Sequence, residues 1–173
     1  MFHKMWKMKS TPSSLIYGWR AFQDRLPTKD RLSRVGIRLQ NSLCCLCNSN
    51  EESVEHLLVA CNVSSLIWNI CDKWFGIQTV HHCTPIEHFL GFCHTGVVGK
   101  GFRMRGIVWL TIISLVWKHR NEIIFRNRVC DAVEVFAFTQ VKTWAIIKAK
   151  FDKVVFSFSE WCIDPLSCIK MSS

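Results

Sequence analysis

Apolar residues recur along this chain at intervals of three and four, and proline and glycine mark where most of the runs begin or stop. Thr11-Pro12 sets a capping residue before a proline at the first helical position, and Leu15, Trp19, Phe22 and Leu26 follow at helical spacing. This predicts a first amphipathic helix ending near Leu26-Pro27. Thr28 caps a short second helix carrying Leu32 and Val35, with Gly36 as its left-handed exit, and residues 37–43 read as an extended stretch. Glu51, Glu52 and Ser53 place acids and a cap ahead of residues 54–60, which puts His56 in a first helical turn and Cys61 just past the end. A helix from about Ser65 carries Ile67, Ile70, Cys71 and Trp74 on one face and stops at Gly76. Thr84, Pro85 and Glu87 form a capping box that opens a short helix ending at Gly91.

Residues 94–101 are glycine-rich and read as a loop and the main internal boundary. Its Gly99-Lys100-Gly101 lacks both the upstream glycine and the following Ser or Thr of a phosphate loop. From Phe102 to about Asn127 the pattern predicts one long helix with Ile107, Leu110, Ile113 and Trp117 inward. Asp131 and Glu134 repeat the capping-box pattern and start a helix on which Val141, Trp144, Ala145 and Lys148 recur, so the two form an antiparallel pair. The tail from Val154 alternates Val155, Ser157 and Ser159, contains Pro165, and reads as a short strand or irregular cover. No internal repeat or low-complexity segment interrupts this order.

Composition narrows the class. A chain of 173 residues, 49% hydrophobic with eight Trp and twelve Phe, is globular and long enough for one core with a small metal-stapled lobe. Ten cysteines behind no secretory leader read as intracellular thiols, in nucleus or cytoplasm, and not as a disulfide framework. The longest apolar run, residues 107–117, falls short of the ~20 residues a membrane span needs and reads as a core helix. The alternative of an interfacial helix draws on its flanking Arg103, Arg105, Lys118 and Arg120.

Charge changes the picture more than composition does. The net +9 is uneven: residues 1–40 carry nine Lys/Arg against two acids, residues 41–100 two against five, and residues 101–150 nine against three. Basic surface therefore flanks an acidic middle, an arrangement suited to an acidic partner such as RNA or DNA. Arg20, Arg25, Lys29, Arg31, Arg34 and Arg38 are the candidate phosphate contacts. Trp6 and Trp19 lie nearby as candidate stacking residues, although Trp19 also fits the buried face of the first helix.

The candidate chemistry lies in that acidic middle. Cys44, Cys47, His56 and Cys61 form a Cys-x2-Cys-x8-His-x4-Cys array. Two thiols spaced by two residues share an ion across a tight turn, and a His-x4-Cys pair closes the tetrahedron from an adjacent helix. Four protein ligands leave no open position, so the expected ion is one structural Zn2+; three thiolates, one imidazole and the ion sum to a charge of about −1. Adjacent Cys45 points away from such a turn, and His81, His82, Cys83, His88, Cys93 and His94 match no closed metal-site spacing.

Tyr17-Gly18-Trp19-Arg20, Asp24-Arg25-Leu26-Pro27-Thr28, Leu32, Cys44-Cys45-Leu46-Cys47, the run Glu52 to Leu58, Cys61 and Ile67-Trp68 together resemble the reverse transcriptase zinc-binding domain of plant LINE-type (non-LTR) retrotransposon polyproteins. The resemblance covers the first 75 residues; Trp117-Lys118, Arg120-Asn121 and Phe125 resemble more loosely the segment that follows it in those polyproteins. It implies Cys44, Cys47, His56 and Cys61 as metal ligands, the same four that spacing selects. Ser14 and Gly18 depart from the resemblance where relatives are usually apolar, and Cys45 replaces a frequent proline. In such polyproteins the domain lies between a reverse transcriptase and often an RNase H, and no polymerase Tyr/Phe-x-Asp-Asp motif occurs here.

The expected fold is thus mainly α, with a small zinc-stapled helical N-terminal half followed by a C-terminal antiparallel helix pair. Residues 1–93 form the zinc-binding-like domain, 94–101 the loop and 102–173 the helical C-terminal region. The expected role is a structural zinc module, not an enzyme, that assists non-specific RNA or DNA binding through its basic flanks. No membrane or small-molecule substrate is expected. A Trp-rich helical scaffold for a protein partner, such as a retroelement polymerase, is the alternative, beside a nonfunctional relic that merely folds.

Overall fold

A computed structural model of the chain describes residues 2–80, 82–94, 99–152 and 154–171. Nine α-helices follow one another among these residues: α1 (Phe2–Trp6), α2 (Pro12–Phe22), α3 (Lys29–Arg34), α4 (Asn62–Phe75), α5 (Pro85–His94), α6 (Lys100–Arg126), α7 (Ala132–Lys150), α8 (Phe158–Ile163) and α9 (Pro165–Met171). A π-helical turn, His56–Ala60, lies between α3 and α4. The described residues contain no strand, and the one β-bridge pairs Leu43 with Glu51.

Local capping explains where the helices begin. Thr11 accepts from the Ser14 N–H with Pro12 inside the first turn, Asp131 accepts from the Glu134 N–H, and Thr84 and Glu87 bond each other at the head of α5. Gly76 and Gly36 end α4 and α3 with φ of 62° and 84°, conformations that only glycine adopts cheaply.

Helix α6 is the axis of the molecule. Every residue from Met104 to Trp117 is buried, so the helix is enclosed on all sides and not only along the predicted face of Ile107, Leu110, Ile113 and Trp117. A helix apolar all round must be surrounded to be stable; α2, α5 and α7 pack around α6, with the π turn and α9 also against it. Helices α6 and α7 run antiparallel, as the pattern predicts, with Glu122 near Glu134 at one end and Thr111 near Ile146 at the other.

An aromatic cluster fills the space between these helices. The Trp68 and Trp109 rings lie 6.3 Å apart, Phe22 and Phe89 pack on Trp109 at 5.3 and 5.1 Å, and His88 lies 4.4 Å from Trp68. Indole N–H groups find partners inside: Trp68 donates to the Leu58 carbonyl, Trp109 to His88 Nδ1 and Trp161 to Thr143 Oγ1. Trp68, Trp109 and Trp161 are therefore core, whereas Trp6 is exposed; the large apolar side chains exposed on and between α6 and α7 include Phe125, Val129, Val133, Phe138 and Val141.

Several elements differ from their predicted form. Helix α2 stops at Phe22, and Leu26 reaches the core from the following turn. Its buried face is Ser14, Gly18, Ala21 and Phe22, whereas Leu15 and Trp19 are half-buried at its edge. Gly18 lies against Leu110 so closely that an added Cβ would stand 2.4 Å from the leucine methyl. Helix α4 starts at Asn62 because Cys61 takes the capping position, and α5 continues through Gly91 to His94. Helix α7 buries Val135, Phe136, Thr139, Thr143 and Ile147, not Val141, Ala145 and Lys148; Thr139 and Thr143 bond carbonyls of their own helix and so pass as apolar. In place of a strand the tail forms α8 and α9, started by a Ser157–Glu160 capping box and by Asp164 before Pro165. Arg105 and Arg120, read as flanks of an interfacial helix, are buried, Arg105 between the Phe75 and Phe92 rings. Residues 95–98 of the predicted loop, and His81, lie outside the described residues.

Candidate metal centre

Two local structures deliver the four donors. The first is a small hairpin-like knuckle. The Glu52 N–H donates to the Ser42 carbonyl and the Cys44 N–H to the Asn50 carbonyl, while the Asn48 N–H closes the turn onto the Cys44 carbonyl. Asn48 takes a φ of 53°, a left-handed conformation that asparagine tolerates, and the chain reverses between Cys47 and Ser49. Cys44 and Cys47 thus come to the same side of one turn.

The second is the π turn. The Ser53 hydroxyl caps the His56 N–H at 3.0 Å, and the Cys61 N–H donates to the His56 carbonyl at 2.7 Å, closing an i to i+5 ring. In an ordinary α-helix, residues five apart point about 140° away from each other at 100° per residue. The wider turn swings Cys61 back toward His56, so both face the knuckle.

The donor atoms of Cys44, Cys47, His56 and Cys61 all lie within 4.8 Å of one another. Cys44 Sγ and Cys61 Sγ are 4.0 Å apart, and Cys47 Sγ and His56 Nε2 3.3 Å. A tetrahedral zinc with bonds of about 2.3 Å to sulfur and about 2.0 Å to nitrogen spaces its ligands by roughly 3.5–3.8 Å. The four residues fit one such ion.

Within the cluster the protons are shared unevenly. The Cys44 thiol donates to Cys61, and with burial this holds Cys44 far above its ordinary range. That same bond draws Cys61 down, helped by the Val63 and Ser64 N–H groups of the first α4 turn. Burial lowers His56 and favours the neutral imidazole that a metal needs. Among the described residues this is the only group of three or more His, Cys, Asp or Glu assembled for a metal. His88 of the second cluster is instead an acceptor in the aromatic core, and Cys83 is exposed.

Glu52 ties the knuckle to the rest of the fold. It is fully buried and takes Arg120 in a bidentate grip, Nη2 at 2.6 Å and Nε at 3.2 Å, and it also accepts from the Lys29 N–H. Glu52 is therefore not one of the surface acids around the metal, unlike exposed Glu51 and Glu55. Cys45 turns outward from the ion to the Arg120 carbonyl, and burial and the Glu52 charge push its thiol up to about 12. Sequence alone gave no sign of the Glu52–Arg120 pair, because its members are 68 positions apart.

The candidate phosphate contacts separate into two groups. Lys29 donates its ammonium to Asn41 Oδ1 and the Leu43 carbonyl, Arg31 pairs with Asp24, and Arg34 pairs with Asp30. Arg20, Arg25 and Arg38 are exposed and make no ion pair among the described residues; Arg25 lies over the Trp19 ring at 5.9 Å. Trp6 is exposed as well.

Residues 1–68 match the family model described as zinc-binding in reverse transcriptase, a segment that contains all four donors. No curated protein and no solved structure matches the chain. No helix among the described residues is long and apolar enough to cross a membrane.

Proposed function

We propose that this chain is a structural zinc module of retroelement origin, of the plant LINE type, that helps hold RNA or DNA without sequence preference and performs no chemistry of its own. The observation that carries the reading is the four-donor cluster inside the segment that matches the reverse transcriptase zinc-binding model. With all four coordination positions taken by protein, zinc supplies folding energy and leaves no position for water or substrate. The ligand set is Cys44, Cys47, His56 and Cys61.

Nucleic acid meets the flanks and not the metal. A centre of about −1 charge beside Glu51 and Glu55 repels phosphate. Arg20, Arg25 and Arg38 carry the contact, because Lys29, Arg31 and Arg34 are already engaged inside the chain. Exposed pairs of that kind are worth only ~0–1 kcal/mol, so Arg31 and Arg34 add to the field without fixing a phosphate.

The test is equilibrium binding of single-stranded RNA and duplex DNA across salt. Affinity should fall steeply with salt, and the log–log slope should lose roughly one unit per neutralised arginine in Arg20→Gln and Arg38→Gln. Binding indifferent to salt would end the nucleic-acid reading. It would turn attention to the partner-scaffold reading, which the exposed Phe125, Val129, Val133, Phe138 and Val141 favour.

A further inference from the structure

Helix α7 is apolar on the side it buries and also on the side it shows. Between Ala132 and Ile147 its only charged or amide side chains are Glu134, Gln140 and Lys142. The inner side, with Val135, Phe136, Thr139, Thr143 and Ile147, is taken up by α4, α6 and α8. On the outer side Ala137, Phe138, Val141 and Ala145 are exposed, Val141 at 49% and Phe138 at 46%. A helix apolar all round is ordinarily a buried helix, so this open face lacks the cover its composition requires.

The outer face has a register. Positions seven apart on an α-helix return to within about 20° of one line. Glu134, Val141 and Lys148 are spaced in that way, and they form a ridge with an acid at one end, a lysine at the other and a valine midway. Ala137 precedes Val141 by one turn and Ala145 follows it by one. Side chains that small let a second backbone approach to the roughly 8–10 Å of close helix packing.

Charge divides along the same ridge. No acid follows Glu134 within α7, whereas Lys142, Lys148 and Lys150 do. Lys148 lies over the Trp144 ring and makes no ion pair among the described residues. Toward the start of α7, Glu122 and Glu134 share Arg128, which leaves that trio one negative charge; Asp131 adds another and exposed Arg126 offsets one. The Glu134 side chain stays 34% exposed beside Arg128.

We propose that α7 docks on α7 of a second copy of this chain, antiparallel and two-fold about Val141. In that register Glu134 meets Lys148 of the second copy at both ends, the two Val141 side chains meet at the axis, and Ala137 meets Ala145 of the second copy. A parallel pairing would set Glu134 on Glu134 and Lys148 on Lys148, which repel. A uniformly acidic partner or an anionic lipid surface would suit Lys148 and meet Glu134 with like charge. Only a face that carries both signs in reverse order answers the whole ridge, and the chain itself supplies one. The net charge of +9 opposes self-association in general, which leaves the pairing that matches acid to lysine as the favoured one.

The experiment is sedimentation equilibrium of the zinc-loaded full chain between about 1 and 200 µM. A monomer–dimer equilibrium with a Kd on the order of 10 µM is expected, because one helix on another is a contact at the small end of specific interfaces. Val141→Glu should weaken it at least about tenfold, by placing a charge at the dry centre, while Val80→Glu at an exposed valine outside α7 leaves it unchanged. Glu134→Lys and Lys148→Glu should each weaken it at least about threefold, and both in one chain should return it to within about twofold of wild type, a restoration that only the antiparallel register allows. Far-UV circular dichroism and undiminished zinc content show that each variant is folded. A chain that stays monomeric to about 200 µM, a dimer indifferent to Val141→Glu, or a double exchange that restores nothing overturns the proposal. Cosedimentation of monomer with vesicles of anionic phospholipid, lost in Val141→Glu, overturns it in favour of a lipid surface. The arginine surface is read separately from its salt slope, so either can fail alone.

Discussion

Glu52 and Arg120 form an ion pair in which both side chains are taken out of water. Removing one partner of such a pair leaves an uncompensated buried charge and typically costs ~3–5 kcal/mol. Arg120→Met should therefore destabilise the zinc-loaded protein by about that much in a denaturant titration, and Glu52→Gln/Arg120→Met together by clearly less than the sum of the singles. A loss under ~1 kcal/mol for Arg120→Met would contradict the buried pairing. Gly18 makes a second case. Alanine is the better helix former by up to ~1 kcal/mol, yet its Cβ would meet the fully buried Leu110 side chain. Overpacking of this kind costs ~1–3 kcal/mol, so Gly18→Ala should be neutral to destabilising, and less so when combined with Leu110→Ala. Sequence presents Gly18 and Ser14 as flaws in an apolar stripe. They are the stripe, because close approach of α2 to α6 demands small residues, and that demand is set by a helix some ninety positions later.

At the scale of elements, what was legible is what is local. The starts of α2, α5 and α7 are written in their capping residues, and the four ligands in their spacing. The buried face of α7 was not legible, because Thr139 and Thr143 hide their hydroxyls in the helix backbone. The π turn has the pattern of an ordinary helix, since nothing in residues 54–60 distinguishes an i to i+5 bond from an i to i+4 one. That turn and the knuckle hold together through the ion: Cys47→Ser should reduce bound zinc from one per chain to well under half, measured by metal analysis, and collapse near-UV circular dichroism. The start of α7 carries a pH dependence of its own. His119 Nε2 accepts from the Asp131 N–H, and burial together with Arg128 lowers His119 below its ordinary value of 6.5. The folded state thus favours the neutral ring, so this contribution is present above about pH 6.5 and lost as pH falls below it. His119→Gln, compared with wild type in pH-dependent melts, should flatten that part of the profile; an identical slope would exclude His119 as its source.

The whole molecule shares one core. Residues of the metal-bearing lobe, Leu46, Leu57 and Leu58, belong to the same buried cluster as Ile107 and Trp109 of α6 and Trp161 of α8. Zinc contributes on the order of 10 kcal/mol to folding in zinc-finger peptides at neutral pH, which is comparable with the entire stability of a domain this size. A strong chelator should therefore lower the melting temperature of the full chain in one transition instead of melting the first lobe alone; two separate transitions would show the lobes to be independent.

The enclosure of α6 also bears on how the protein can be cut. A fragment made to the limits of the matched segment, residues 1–68, would keep every metal donor but leave Glu52 facing no guanidinium, and Trp68 and Phe22 without the Trp109 and Phe89 rings against which they pack. Such a piece would bind its ion and still expose a sticky apolar wall. The boundary drawn by sequence likeness and the boundary of the unit that can be expressed and handled in solution are then different, and the second extends at least through α6.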